Sequence, residues 1–167
     1  MKLFTKTEIK VIFSILLVLF ITIYINMLAS LRKGRDSIRK NDISAVENAL
    51  DTYYQKYKIY PDSTSDGKIV GCFEFGSVIN EESGYPENAT ICEWGKSKFE
   101  GNRIVPIDPD YEKGVNYYYE SDGQSFVFYI ALEGKNEPEY TESISRKNLQ
   151  CGVRICNYGR GANAIKN

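Results

Sequence analysis

The chain has 167 residues, 26% of them charged and 43% hydrophobic, with a formal net charge of −1. So even a balance gives no electrostatic reason to invoke nucleic acid as a partner. There is no histidine, which removes the commonest general base and the commonest metal ligand together.

The first element is an uncharged apolar run of 19 residues, Val11 to Ala29. At ~1.5 Å rise per residue it covers most of a ~30 Å hydrocarbon core, so it predicts a membrane-crossing helix. A cleavable secretory signal would need a shorter stretch of roughly 7–15 residues and a small-x-small site. Met27-Leu28-Ala29 fits that site poorly, so the segment reads as a retained anchor. No proline interrupts Ser30 to Tyr60, where apolar residues recur at Leu31, Ile38, Ile43, Val46, Leu50, Tyr53 and Tyr57. From Ile43 on, those steps of three and four describe one helical stripe, which ends at Tyr60-Pro61.

The next segment, 62–67, is a loop by composition. Residues 68–104 carry glycines among short apolar scraps and read as mostly irregular. The strongest β signal is a hairpin, 115–120 and 125–133, around Asp122-Gly123. In its second strand Phe126, Phe128, Ile130 and Leu132 alternate with Val127, Tyr129 and Ala131. One face then packs on the helix and the other lies partly under loops. A third strand is expected near Tyr140 to Ser145. Beyond Gly152, only cysteines argue for order.

The four cysteines, Cys72, Cys92, Cys151 and Cys156, lack the spacing of a zinc site. Downstream of a membrane span they read as two disulfides in an oxidising compartment. Three pairings are open, and local loop closure favours Cys72–Cys92 with Cys151–Cys156; four reduced cysteines in a cytoplasmic domain is the competing reading. Lys2, Lys6 and Lys10 precede the span, while Arg32, Lys33, Arg35, Arg39 and Lys40 follow it. The positive-inside rule therefore pulls both ways. The cysteines favour a cytoplasmic N-terminus with the head outside. The basic cluster after the span suits lipid headgroups, helped by an Arg32–Asp36 helix pair. Gly34, poor for a helix, is a candidate bend.

Several other groups suggest chemistry. Tyr53, Tyr54, Tyr57, Tyr60 and Tyr117–Tyr119 read as core with wet hydroxyls before they read as a sugar-stacking surface. The acids Asp108, Asp110, Glu112 and Asp122 lack calcium-loop spacing and read as a solvated edge. Asn88-Ala89-Thr90 matches a glycosylation sequon. No catalytic set, metal site or cofactor is assigned.

Phe4-Thr5-Lys6-Thr7-Glu8 ahead of the apolar run resembles the Phe-Thr-Leu-Ile-Glu signature of type IV pilins and type II secretion pseudopilins. Arg35-Asp36-x-x-Arg39-x-x-Asp42-Ile43, Ala49-Leu50-x-x-Tyr53-Tyr54 and Tyr60-Pro61 resemble the helix of pilin-like proteins. Pro106-x-Asp108-Pro109, Tyr117-Tyr118-Tyr119, Asp122-Gly123 and Leu132-Glu133 resemble the sheet region of proteins similar to the major pseudopilin. The resemblance implies an α+β pilin-like fold, with a long N-terminal helix on a small antiparallel sheet and disulfide-tied loops. It implies a leader (1–3), a transmembrane and filament-core helix (4–30), the amphipathic helix of the head (31–61) and a loop-and-sheet part (62–167).

The function implied is a structural subunit, major or minor, of a type IV pilus or type II secretion-like filament. Its partners would be other pilin-like subunits, a prepilin peptidase, an inner-membrane assembly platform and membrane lipids. In that family the peptidase cuts before the phenylalanine and methylates the new amine. The glutamate four residues on pairs with a neighbouring subunit's amine. Carried over, the cut falls between Leu3 and Phe4, Phe4 supplies the amine and Glu8 the acid. A carboxylate in lipid costs ~2.5–3.5 kcal/mol on insertion scales, so a partner is expected. The sequence departs from the pattern at Leu3, where the family has glycine, at Lys6, Thr7 and Lys10, and in lacking a proline near Ile25. Those departures keep open an uncleaved, membrane-anchored binding module, with Glu8 merely solvated near the headgroups.

Overall fold

The computed structural model describes residues 5–72, 89–99 and 103–162. The chain divides into two units, Met1–Arg35 and Asp36–Asn167. One helix, α1, runs Lys6–Tyr57 and contributes to both.

In the first unit α1 is the whole described structure. Its apolar side chains from Ile9 to Leu28 are all exposed, and the window that qualifies as a membrane span has no buried residue. Exposed leucine, isoleucine and phenylalanine on every side of a helix is what a lipid-facing or helix-packed segment looks like before its surroundings are added. The helix continues through Gly34, where a Cβ would meet nothing within 4 Å.

The second unit is α+β. Within it, α1 buries Ile43, Val46, Ala49, Leu50, Tyr53 and Tyr57 along one stripe. Ile38, which precedes the stripe, is exposed. A fully buried side chain of this kind stabilises by ~1.5–3 kcal/mol, so the stripe is the main attachment of the helix to the sheets. Strands β6 (Tyr118–Ser121) and β7 (Phe126–Ile130) form the expected hairpin, with Tyr119 opposite Phe128. The alternation places Phe126, Phe128, Ile130 and Leu132 in the core shared with the helix. Tyr129 and Ala131 join a second cluster with Cys151 and Cys156.

The third strand of that sheet is β10 (Tyr158–Arg160), antiparallel to β7, giving the order β10-β7-β6. This corrects the expectation of a strand at Tyr140 to Ser145, where Glu142–Arg146 instead forms the short helix α2. The pairing depends on Gly159. A Cβ there would lie 2.6 Å from the ring of Tyr129, so only glycine lets the strand sit against that side chain.

Among its described residues, 68–72, 89–99 and 103–104, the stretch 68–104 is more regular than expected. Strand β2 (Ile69–Cys72) lies between β1 (Asp62–Ser63) and β3 (Thr90–Ile91), and β4 (Lys98–Phe99) pairs with β5 (Arg103–Ile104). These strands are two to four residues long, too short for periodicity to show. The disulfides are Cys72–Cys92, which fastens β2 beside β3, and Cys151–Cys156, which closes the turn between β8 (Gln150–Cys151) and β9 (Arg154–Ile155).

Candidate functional site

Two places carry polar chemistry on α1, one in each unit. At the helix start, Thr5 and Glu8 form a reciprocal cap. The Thr5 N–H donates to Glu8 Oε2 at 2.6 Å, and the Glu8 N–H donates to Thr5 Oγ1 at 3.3 Å. This satisfies two of the amide groups that a helix N-terminus leaves without partners. Glu8 thus has an intrachain role that was readable from Thr5-x-x-Glu8 but is absent from the sequence reading above. Leu3 and Phe4 lie outside the described residues.

The second place is the guanidinium of Arg39. Its side chain has no exposure, and all five of its N–H groups are used. Nε donates to Asp108 Oδ2 at 2.7 Å, and Nη2 donates to Asp108 Oδ1 at 3.0 Å and Asp110 Oδ2 at 2.9 Å. Nη1 donates to Asp36 Oδ1 at 3.0 Å and Glu133 Oε1 at 2.9 Å. Burial alone would lower its pKa, but the hydrogen bonds it donates to Asp108 and Glu133 outweigh it, and the group stays charged.

Asp36 comes from the same helix, and the other carboxylates around Arg39 come from distant parts of the chain; each is fixed locally. Pro109 biases Asp108 toward extended backbone, and Asp108 Oδ1 accepts the N–H of Asp110 at 2.7 Å. Asp36 accepts the backbone N–H groups of Glu133 (2.9 Å) and Gly134 (3.0 Å), tying the end of the hairpin to the helix. Lys113 (2.8 Å) and Arg154 (3.4 Å) add positive charge beside Asp110. One turn further, Tyr117 donates its hydroxyl to Asp42. Burial raises the Asp42 carboxyl above its ordinary range despite that hydrogen bond, and burial together with the Asp42 charge raises the Tyr117 phenol.

This arrangement corrects two expectations. Arg39 and Lys40 do not face headgroups: Arg39 is the hub just described, and Lys40 Nζ bridges Glu137 and Glu139, each at 2.8 Å. Asp36 turns inward to that hub, a different role from the helical pair with Arg32. Asp108 and Asp110 are not a solvated edge, being 3% and 2% exposed. The guanidinium occupies the position a cation would take among them. Glu112 is exposed, and Asp122 instead pins the hairpin turn by accepting the N–H groups of Ser125 (2.7 Å) and Gln124 (2.9 Å). Those bonds hold its carboxyl below the usual range.

No family model, curated protein or solved structure matches the chain.

The tyrosines divide cleanly. Tyr53, Tyr57, Tyr60, Tyr117 and Tyr119 are buried, with Tyr53 stacked on Phe99 and Tyr60 edge-on to Phe126. Their hydroxyls are not all wet, since Tyr119 donates to the carbonyl of Pro61 at 2.8 Å. Tyr54 and Tyr118 are half-buried. Of the sequon, Asn88 lies outside the described residues, and Thr90 donates to the Cys72 carbonyl at 3.0 Å. Among the described residues, no group of three or more acidic or cysteine side chains is arranged to hold a metal ion. What sequence reasoning missed is the Arg39 hub. Its only signal was a basic residue three positions after an acid on the helix, with Asp108, Asp110 and Glu133 some seventy to ninety residues away.

Proposed function

We propose that the chain is a non-enzymatic structural subunit of a type IV pilus or type II secretion-like filament. The observation that carries the reading is the division of labour along α1. An uncharged, fully exposed apolar segment precedes a stripe that anchors a disulfide-tied antiparallel head. A segment of that composition is stable only in lipid or against other helices. Filament growth exchanges the first surrounding for the second. The head then stands outside the membrane, and the partners are like subunits, a prepilin peptidase and an assembly platform.

Glu8 gives the sharpest test, because glutamine keeps a reciprocal cap with Thr5 and removes the charge. If Glu8 pairs with the amine of a neighbouring Phe4, both Glu8→Ala and Glu8→Gln abolish recovery of the protein in sheared surface filaments. Its level in the membrane stays the same. Normal filament yield from Glu8→Gln would confine Glu8 to its cap. A second reading, an uncleaved anchored binding module, is favoured by Leu3 at the cleavage position and by the prior engagement of Glu8 with Thr5. That reading expects no filaments from the unaltered chain.

A further inference from the structure

The head carries an apolar pocket of about 120 Å³ between α1 and the β4–β5 pair. Its walls include Val46, Phe99 and Val105, which are buried, and Ala45 and Ile104, which are exposed at its mouth. An apolar cavity of roughly 150 Å³ takes a molecule of benzene, so this one takes a single branched aliphatic side chain. Lys98 stands opposite Ile104 in the strand register, so its side chain lies on the same face, beside the mouth. It is exposed and makes no ion pair among the described residues.

The same head presents a matching knob. Val153, at the turn between β8 and β9, is 71% exposed, more than any other large apolar side chain described in the head. It is held firmly: Cys151–Cys156 closes the turn, and the Val153 N–H donates to the Gly114 carbonyl at 2.9 Å. Its side chain rests on Gly114, where a Cβ would lie 3.0 Å from Val153 Cγ1. Gly114 ends the 3-10 turn Tyr111–Lys113, so Glu112 stands next to the knob. Lys113 and Arg154, also close by, are bound to Asp110, which leaves the exposed Glu112 as the open charge there. Knob and mouth therefore carry opposite charges. Val153 does not line the pocket of its own chain, so a Val153 that enters the pocket belongs to another copy.

We infer that Val153 of one chain docks in the pocket of a second copy, with Glu112 of the first against Lys98 of the second. The two surfaces differ, so the contact is heterologous and leaves an unused knob at one end of a row and an unused pocket at the other. Rows of that kind lengthen by adding chains, and the inference rests on the filament reading for its role. One side chain and one ion pair do not hold two free heads together. The contact therefore needs chains already gathered in one bilayer by their apolar segments.

The test reconstitutes the full chain at high density in phosphatidylcholine vesicles, with isotope-labelled and unlabelled chains mixed equally. A carbodiimide, which joins a carboxylate to an amine in direct contact, should give a Glu112–Lys98 peptide pair of mixed label. Val153→Ser, and Ala45→Phe, which fills the mouth from an exposed position, should each lower its yield about tenfold, the equivalent of burying one valine. Neither should lower the melting temperature, and Val153→Ile should retain the crosslink. The inference is overturned if no mixed-label Glu112–Lys98 pair forms, or if the pair forms equally in Val153→Ser. It is equally overturned if, between copies, Glu112 joins other lysines and not Lys98. The vesicles hold no assembly platform, so the crosslink stands or falls apart from filament yield. A chain that crosslinks but makes no filaments loses the filament reading alone.

Discussion

The two parts of α1 are built on opposite terms. From Val11 to Ala29 the helix has no charge and buries no side chain, and its apolar side chains up to Leu28 are exposed on every side. From Asp36 to Tyr57 it carries charge into the interior, and Arg39 donates five hydrogen bonds to four carboxylates, one on its own helix and three from two other places in the chain. The first part is defined by what it must find outside the molecule. The second is finished by the molecule itself. A single helix can therefore serve as an interface and as a scaffold, provided each task is kept to its own stretch.

The sharpest way to break this contrast is Arg39→Met. Removing the hub leaves buried carboxylates without their countercharge, and the expected loss is about 3–5 kcal/mol of head stability. Denaturant unfolding of the full chain in nanodiscs reads this through Trp94, which packs edge-on to Tyr117 and Phe128. A loss below about 1 kcal/mol would mean that the cluster is worth no more than an exposed ion pair.

Asp42→Asn sharpens the same contrast at smaller scale. The Asp42 carboxyl titrates above its ordinary value in the fold, so the folded state binds its proton more tightly than the unfolded chain does. Its ionisation therefore counts against the fold once the pH rises past the unfolded value of ~3.9, and the cost is complete above the raised folded value. Asparagine still accepts from Tyr117 without that cost. The variant should be more stable than the parent at pH 7 by less than about 1 kcal/mol, with the difference vanishing as the pH falls below ~3.9. A difference that grew on acidification would refute the assignment. At the other end of the helix, Leu19→Ser should leave head unfolding unchanged within about 0.5 kcal/mol, because Leu19 is an exposed side chain of the apolar segment. A larger shift in unfolding would show that the apolar segment also supports the head.

How much of this was readable beforehand follows from the range of the interactions. The stripe Ile43, Val46, Leu50, Tyr53 and Tyr57 and the hairpin with two apolar faces are local periodicities, and they stand in the structure as read. Both disulfides close nearby loops and also stand. The third strand failed because Tyr158-Gly159-Arg160 reads as loop, while Tyr140 to Ser145 alternates like a strand. The steric demand of the Tyr129 ring on Gly159 is invisible without the pairing. The Arg39 hub failed for a related reason. Counting charges near the span sent Arg39 to the headgroups, because no single-sequence rule joins it to Asp108, Asp110 and Glu133. The Thr5–Glu8 cap was local and legible.

The claim that the apolar segment is a retained, processed interface is tested most directly by the intact mass of the protein extracted from membranes. The account predicts a chain that begins at Phe4 with a methylated amine and stays with the lipid fraction. A chain still carrying Met1, or a water-soluble form cut near Ser30, would contradict it.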